Sequence, residues 1–162
     1  MHDTRIVSLT KLTSLIVKEK KENKRIVFTN GCFDILHPGH IEYLRKASLL
    51  GDKLVVAVNS NASIRAVKGY ERPINDIDYR LSMLDALLYP DWIVEFDELT
   101  PRFLIELIIP DVLVKGGDYD VSDIVGSDIV IQNGGVVKTI DYVAGYSTTQ
   151  FIDDMRSKIC LS

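Results

Sequence analysis

Two histidines three residues apart, His37 and His40, stand in the segment Asn30–His40, NGCFDILHPGH. Between them lie Pro38, suited to the first position of a helix, and Gly39, which lets backbone approach a ligand closely. That order puts both imidazoles at a helix N-terminus, where free N–H groups and the helix dipole attract phosphate. Imidazole N–H groups added there could meet charge that develops on a phosphoryl group. Gly31, directly after an apolar run, leaves room for a ligand. The plainer role is that His37 caps the helix and His40 packs as an ordinary polar residue. Late in the chain Gly145–Thr149, GYSTT, precedes a second helix. Ser147, Thr148 and Thr149 are good caps there, and a helix end flanked by hydroxyls is again an anion site.

Candidate cations lie between the two segments. Lys68 and Arg72 fall in one loop, Arg80 opens a helix, Arg102 starts another, and Lys115 closes the apolar run DVLVK just before Gly116-Gly117-Asp118. Surface lysines and arginines are usually solvated, but a charge closing an apolar strand should point into a crevice. Asp34 could hold Mg²⁺, position a substrate hydroxyl or cap the following turn, and Asp118 could do likewise from the facing strand end. Cys32 reads as a small neighbour of the ligand rather than a nucleophile, since no partner base is evident.

The elements that position these residues alternate. Strands are expected at 25–30, 53–59, 92–96, 111–115 and 136–141, each rich in β-branched residues. Helices are expected at 9–23, 38–50, 77–88, 101–109, 121–133 and 148–159, with a short one after residue 59 and a loop over 68–75. Strands alternating with helices imply parallel βαβ units, hence an α/β doubly wound parallel sheet of Rossmann-like form. In such sheets ligands sit beyond the carboxyl ends of the strands, and the motifs fall in those loops. Residues 1–24 read as a helical appendage and 25–162 as the main domain.

GCFDILHPGH resembles the G-x-F-D-x-x-H-x-G-H signature of the cytidylyltransferase-like nucleotidyltransferases, and GYSTT resembles their G-x-S-T-T motif. The resemblance implies that Gly31, Cys32, Phe33, Gly39, Gly145, Ser147, Thr148 and Thr149 bind the nucleotide, with His37, His40 and Lys68 at the reacting phosphates. It sets Arg80 on the phosphates, Arg102 on the acceptor as in some relatives, and Asp34, Lys115 and Asp118 near the substrate. Further blocks, VAVNS at 56–60, RPIN at 72–75, DWIV at 91–94, LVKGGDY at 113–119 and NGG at 133–135, look like the adenylyltransferase domain of ADP-heptose pathway enzymes. That likeness implies transfer of AMP from ATP to D-glycero-β-D-manno-heptose 1-phosphate by in-line attack at the α-phosphorus. Mg²⁺ would act mainly through the ATP phosphates. In many relatives this domain follows a sugar kinase, so a separate kinase is expected to supply the acceptor. Cytidylyl transfer to glycerol 3-phosphate or another polyol phosphate is the alternative, against which stands the lack of an arginine in residues 141–144. A silent nucleotide-binding module is a further alternative, because fold does not dictate function.

Composition closes off other classes. The 162 residues are 46% hydrophobic and 26% charged, as expected of one soluble domain. A net charge of −4 argues against nucleic-acid and membrane-surface partners, which call for a basic patch. Two cysteines and three histidines are too few for a disulfide scaffold or a typical zinc site. Without a signal-peptide core or a membrane-length apolar run, the expected location is the cytosol, and the expected assembly a homodimer.

Overall fold

A computed structural model describes residues 4–117 and 119–141, together with 152, 155, 157 and 158. Apolar runs with no polar alternation make strands buried on both faces. Four such runs form β1 (Ile26–Gly31), β2 (Lys53–Asn59), β3 (Trp92–Phe96) and β4 (Val112–Gly116), and β5 (Val136–Ile140) adds a more exposed edge. All pairings are parallel, in the order β3-β2-β1-β4-β5. The helices are α1 (Leu9–Lys21), α2 (Pro38–Ser48), α3 (Asn61–Lys68), α4 (Ile77–Asp85), α5 (Arg102–Ile108) and α6 (Ser127–Gln132).

The two-residue period of each strand divides its side chains between two cores. Ile26, Phe28, Val55, Ala57 and Leu113 pack on one face against Leu12 and Ile16 of α1, Leu104, Ile105 and Ile108 of α5, and Val130 of α6. Val27, Val56, Val58 and Val114 face the other way, against Leu44 and Ala47 of α2 and Leu81 and Leu84 of α4. Burying each such aliphatic side chain contributes about 1.5–3 kcal/mol, so the sheet is held firmly between helical layers. Thus α1 shares the core of the domain that follows it. The chain just before α1 runs along β3, the Val7 amide donating to the Ile93 carbonyl at 2.9 Å and the Ile93 amide to the Arg5 carbonyl at 2.8 Å.

One expected element divides. The stretch 121–133, expected as a single helix, is a short 3₁₀ turn (Val121–Asp123) followed by α6. The break lies at Gly126, whose φ of +84° no bulkier residue adopts easily, and where a Cβ would come within 2.5 Å of Ile105 Cδ1. Close approach to α5 therefore overrides helical continuity. Of the expected final helix, Ile152, Met155, Ser157 and Lys158 are helical, and its remaining residues lie outside those described. Among the described residues no helix is long and apolar enough to cross a membrane.

The strand order reverses at β1. From it the chain goes out through β2 to β3, then returns to place β4 on the other side of β1. Crevices form beyond the carboxyl ends of strands at such a reversal.

Candidate active site

At that reversal β1 ends in Asn30-Gly31, and the chain turns through Phe33, which holds a φ of +45°. A Cβ on Gly31 would lie 3.0 Å from the Phe33 ring, so glycine lets that ring fold back under the loop. His37 then caps α2, with Pro38 at the helix start and Gly39 next. His37 Nδ1 accepts the amide of His40 at 3.3 Å, which leaves the proton of the neutral ring on Nε2. The two imidazoles stack with centroids 3.8 Å apart and 23° between planes. The Phe33 ring meets His40 edge-on at 5.5 Å.

Burial, then the charges of His37 and Lys68, push the pKa of His40 down to about 4, with the backbone at Ile35 pulling weakly the other way. Burial lowers that of His37 as well. Both rings are therefore neutral near pH 7. His40 Nδ1 is buried with no hydrogen-bond partner of ordinary geometry among the described residues.

Lys68, exposed at the end of α3, and Lys115, half-buried at the end of β4, complete a positive cluster. Lys115 Nζ donates to Asn30 Oδ1 at 3.4 Å. Its pKa is lowered by burial, and Lys68 is close enough to push the same way. Among the described residues neither lysine forms an ion pair with a carboxylate. Such a set has one evident complement, a phosphate-bearing ligand.

Other candidates sit beneath this cluster rather than in it. Asp34, 3% exposed, accepts from Arg72 Nε and Nη2 at 2.8 Å each and from the amides of Ile74 and Asn75 at 2.9 Å. Burial alone would raise its pKa, but the Asn75 and Ile74 amides and Arg72 outweigh that and hold it below the usual carboxylate value. Arg80 is fully buried, and its guanidinium donates to protein acceptors on four segments. Cys32 is half-buried, its Sγ 3.9 Å from Asn59 Oδ1. Arg102 is exposed and forms a fork-to-fork pair with Asp128 at 2.8 and 3.1 Å, plus a contact to Glu106, so its charge is spent on α6 and its own helix. Asp118, Gly145, Ser147, Thr148 and Thr149 lie outside the described residues.

Sequence reasoning overlooked four asparagines. Asn30 and Asn59 close β1 and β2, and Asn61 and Asn75 take part in the hydrogen bonding below the histidine loop. The signal was available for the first two, because a polar residue ending an apolar strand is the same cue that singled out Lys115.

Comparison with known proteins agrees with this geometry. The model of the cytidylyltransferase-like family matches residues 28–153. The bifunctional protein HldE of Marinomonas sp. is 51% identical over 148 residues, 91% of this chain and 31% of that protein. HldE of Methylococcus capsulatus is 49% identical over 152 residues, 93% of this chain and 32% of its own length. The chain thus spans about a third of the length of the curated relatives it matches. Among solved structures, the lipopolysaccharide core biosynthesis protein of Thermoplasma volcanium superposes with a TM-score of 0.60 at 28% identity, covering 74% of this chain and 97% of that one. With the parallel sheet, the histidine pair at the head of α2 and a family match over most of its length, the chain belongs to the cytidylyltransferase-like family of nucleotidyltransferases.

Proposed function

We propose that the chain transfers AMP from ATP to a sugar 1-phosphate, D-glycero-β-D-manno-heptose 1-phosphate, and releases pyrophosphate. The observation that carries the reaction type is the stacked pair His37 and His40 beside Lys68 and Lys115, neither lysine forming an ion pair with a carboxylate among the described residues. The choice of ATP and heptose rests on the resemblance of the blocks at 56–60, 72–75, 91–94, 113–119 and 133–135, and is supported by the likeness to the lipopolysaccharide core biosynthesis protein of Thermoplasma volcanium.

In this reading a phosphate oxygen of the acceptor attacks the α-phosphorus in line. A P–O bond forms to the acceptor, and the α–β bridging bond breaks with its electron pair leaving on pyrophosphate. The protein supplies position and charge rather than a covalent step. The Nε2–H of His37 and the His40 ring would donate to oxygens of the α- and β-phosphates as charge grows there. Lys68 would meet charge as it grows on the reacting phosphates, and Lys115 would face the acceptor phosphate. Asp34 does not fit as a metal ligand, since both of its oxygens are already hydrogen-bonded, and among the described residues no group of three or more His, Cys, Asp or Glu could hold a metal ion. Mg²⁺ fits best as the counter-ion that ATP brings, where it neutralises phosphate charge. A sugar-kinase reaction must supply the acceptor.

A coupled pyrophosphate assay tests the reading, pairing ATP and CTP each with heptose 1-phosphate, glycerol 3-phosphate and other sugar phosphates. Release is expected with ATP and the heptose phosphate. Release with CTP and a polyol phosphate would move the assignment to the cytidylyl branch, and no release with any pair would reject transfer.

A further inference from the structure

We propose that Arg80 is a positioning residue that, with Asp34, latches α3 and the segment after it to the histidine loop, and that it makes no contact with the substrate phosphates. The inference rests on the nucleotidyl-transfer reading and changes which arginine touches what.

Arg80 has no exposed surface. Its Nε donates to the Asn75 carbonyl at 3.1 Å, Nη1 to the carbonyls of Cys32 and Asn59 at 2.7 Å each, and Nη2 to Asn61 Oδ1 at 2.9 Å. Four of the five N–H donors of a guanidinium are therefore committed. Those acceptors belong to the loop after β1, the end of β2, the first residue of α3 and the segment entering α4. The cavity beside Arg80, lined also by Phe33, Tyr79 and Met83, holds about 80 Å³. That is room for several waters.

Among the described residues no carboxylate forms an ion pair with the buried guanidinium. Burial lowers its pKa, and the more distant charge of Asp34 is the largest influence in the opposite direction. A buried charge held by carbonyl dipoles is costly, and it persists where its fixed fork of donors gathers several segments at once. Asp34 holds the same segment from the other side, taking the amides of Ile74 and Asn75 and the Nε and Nη2 of Arg72, while Asn75 Nδ2 donates to the Asp34 carbonyl at 2.6 Å. The consequence falls on α3. Arg80 grips Asn61 at its start and Asn75 beyond its exit, so Lys68, its last residue, is fixed from both ends relative to His40. The grip on Cys32 fixes the histidine loop from below.

Arg80→Lys separates the two roles, because lysine keeps the charge that a phosphate contact needs but loses the fork. Asn61→Ala removes a single acceptor of the latch and gives the same comparison should Arg80→Lys fail to fold. Each is compared with wild type for ATP affinity by calorimetry and for pyrophosphate release. The expected result is ATP affinity within about threefold of wild type, with turnover down about tenfold to a hundredfold, the scale of a misplaced catalytic group. Loss of ATP affinity in step with turnover, or full turnover in Arg80→Lys, would overturn the proposal. The Arg80 Nε proton in the wild-type protein gives an independent readout by NMR. Slow exchange and an unchanged shift on adding ATP support the latch, and fast exchange or a large shift overturns it. Should wild type bind neither ATP nor CTP and release no pyrophosphate, the transfer reading fails by itself, and the exchange rate of that proton still decides the latch.

Discussion

His40 joins burial to a positive neighbourhood, and both effects favour its neutral ring. Replacing it with alanine removes one transition-state donor, worth roughly 3–4 kcal/mol in comparable sites. Turnover should fall by about two to three decades while circular dichroism is unchanged, and near-normal turnover would sink the role given to it. Its pKa also shapes stability. The value of about 4 in the folded chain lies below the ordinary 6.5, so between those limits the unfolded chain binds more protons. Stability from this residue is complete above pH 6.5 and is lost as pH falls toward 4. His40→Gln, which cannot titrate, should flatten the fall in Tm over that window, and an identical slope in both proteins would count against a buried neutral ring. The histidine pair was legible in the sequence because all its determinants lie within four residues. Arg80 was legible only as an arginine opening a helix. What decides its task is the carbonyls of Cys32, Asn59 and Asn75, which only folding brings together.

At the scale of elements, the apolar, β-branched runs located all five strands to within a residue or so, and in the inner strands burial on both faces gives the run its own signature. Helix ends marked by Ser8 and Ser60, each accepting an amide of the first turn, follow equally local rules. The helix expected over 121–133 failed for a non-local reason, the contact of Gly126 with Ile105 on α5. Gly126→Ala should therefore destabilise the protein by about 1–3 kcal/mol, from overpacking and a strained φ together. Urea unfolding measures this. If Gly126→Ala is as stable as wild type, the break owes nothing to that contact. Asp91 and Asp111, which precede β3 and β4, show a subtler regularity. Each turns its carboxylate to the first amides of the neighbouring strand, Leu54 at 2.9 Å and Ile26 at 2.7 Å, and so sets the register of the sheet from its amino end.

For the molecule as a whole, a net charge of −4 coexists with a positive crevice because the acids are spent elsewhere. Asp85 pairs with Arg5, Asp91 with Lys53 and Asp128 with Arg102, all away from the lysine and histidine cluster. The strand order has a consequence in time as well as in space. Pairing β1 with β2 joins Val27 to Leu54, but pairing β1 with β4 joins the same Val27 to Val112, a far longer excursion of chain. Contacts distant in sequence cost more loop entropy and form later. The histidine loop and Lys115 meet across that late seam, whereas Trp92 belongs to β3 in the early half. In stopped-flow refolding, Trp92 fluorescence should recover before the capacity to bind nucleotide, with simultaneous recovery as the contrary result. A chain emerging slowly from the ribosome would thus assemble its scaffold first and become competent only once its second half had docked.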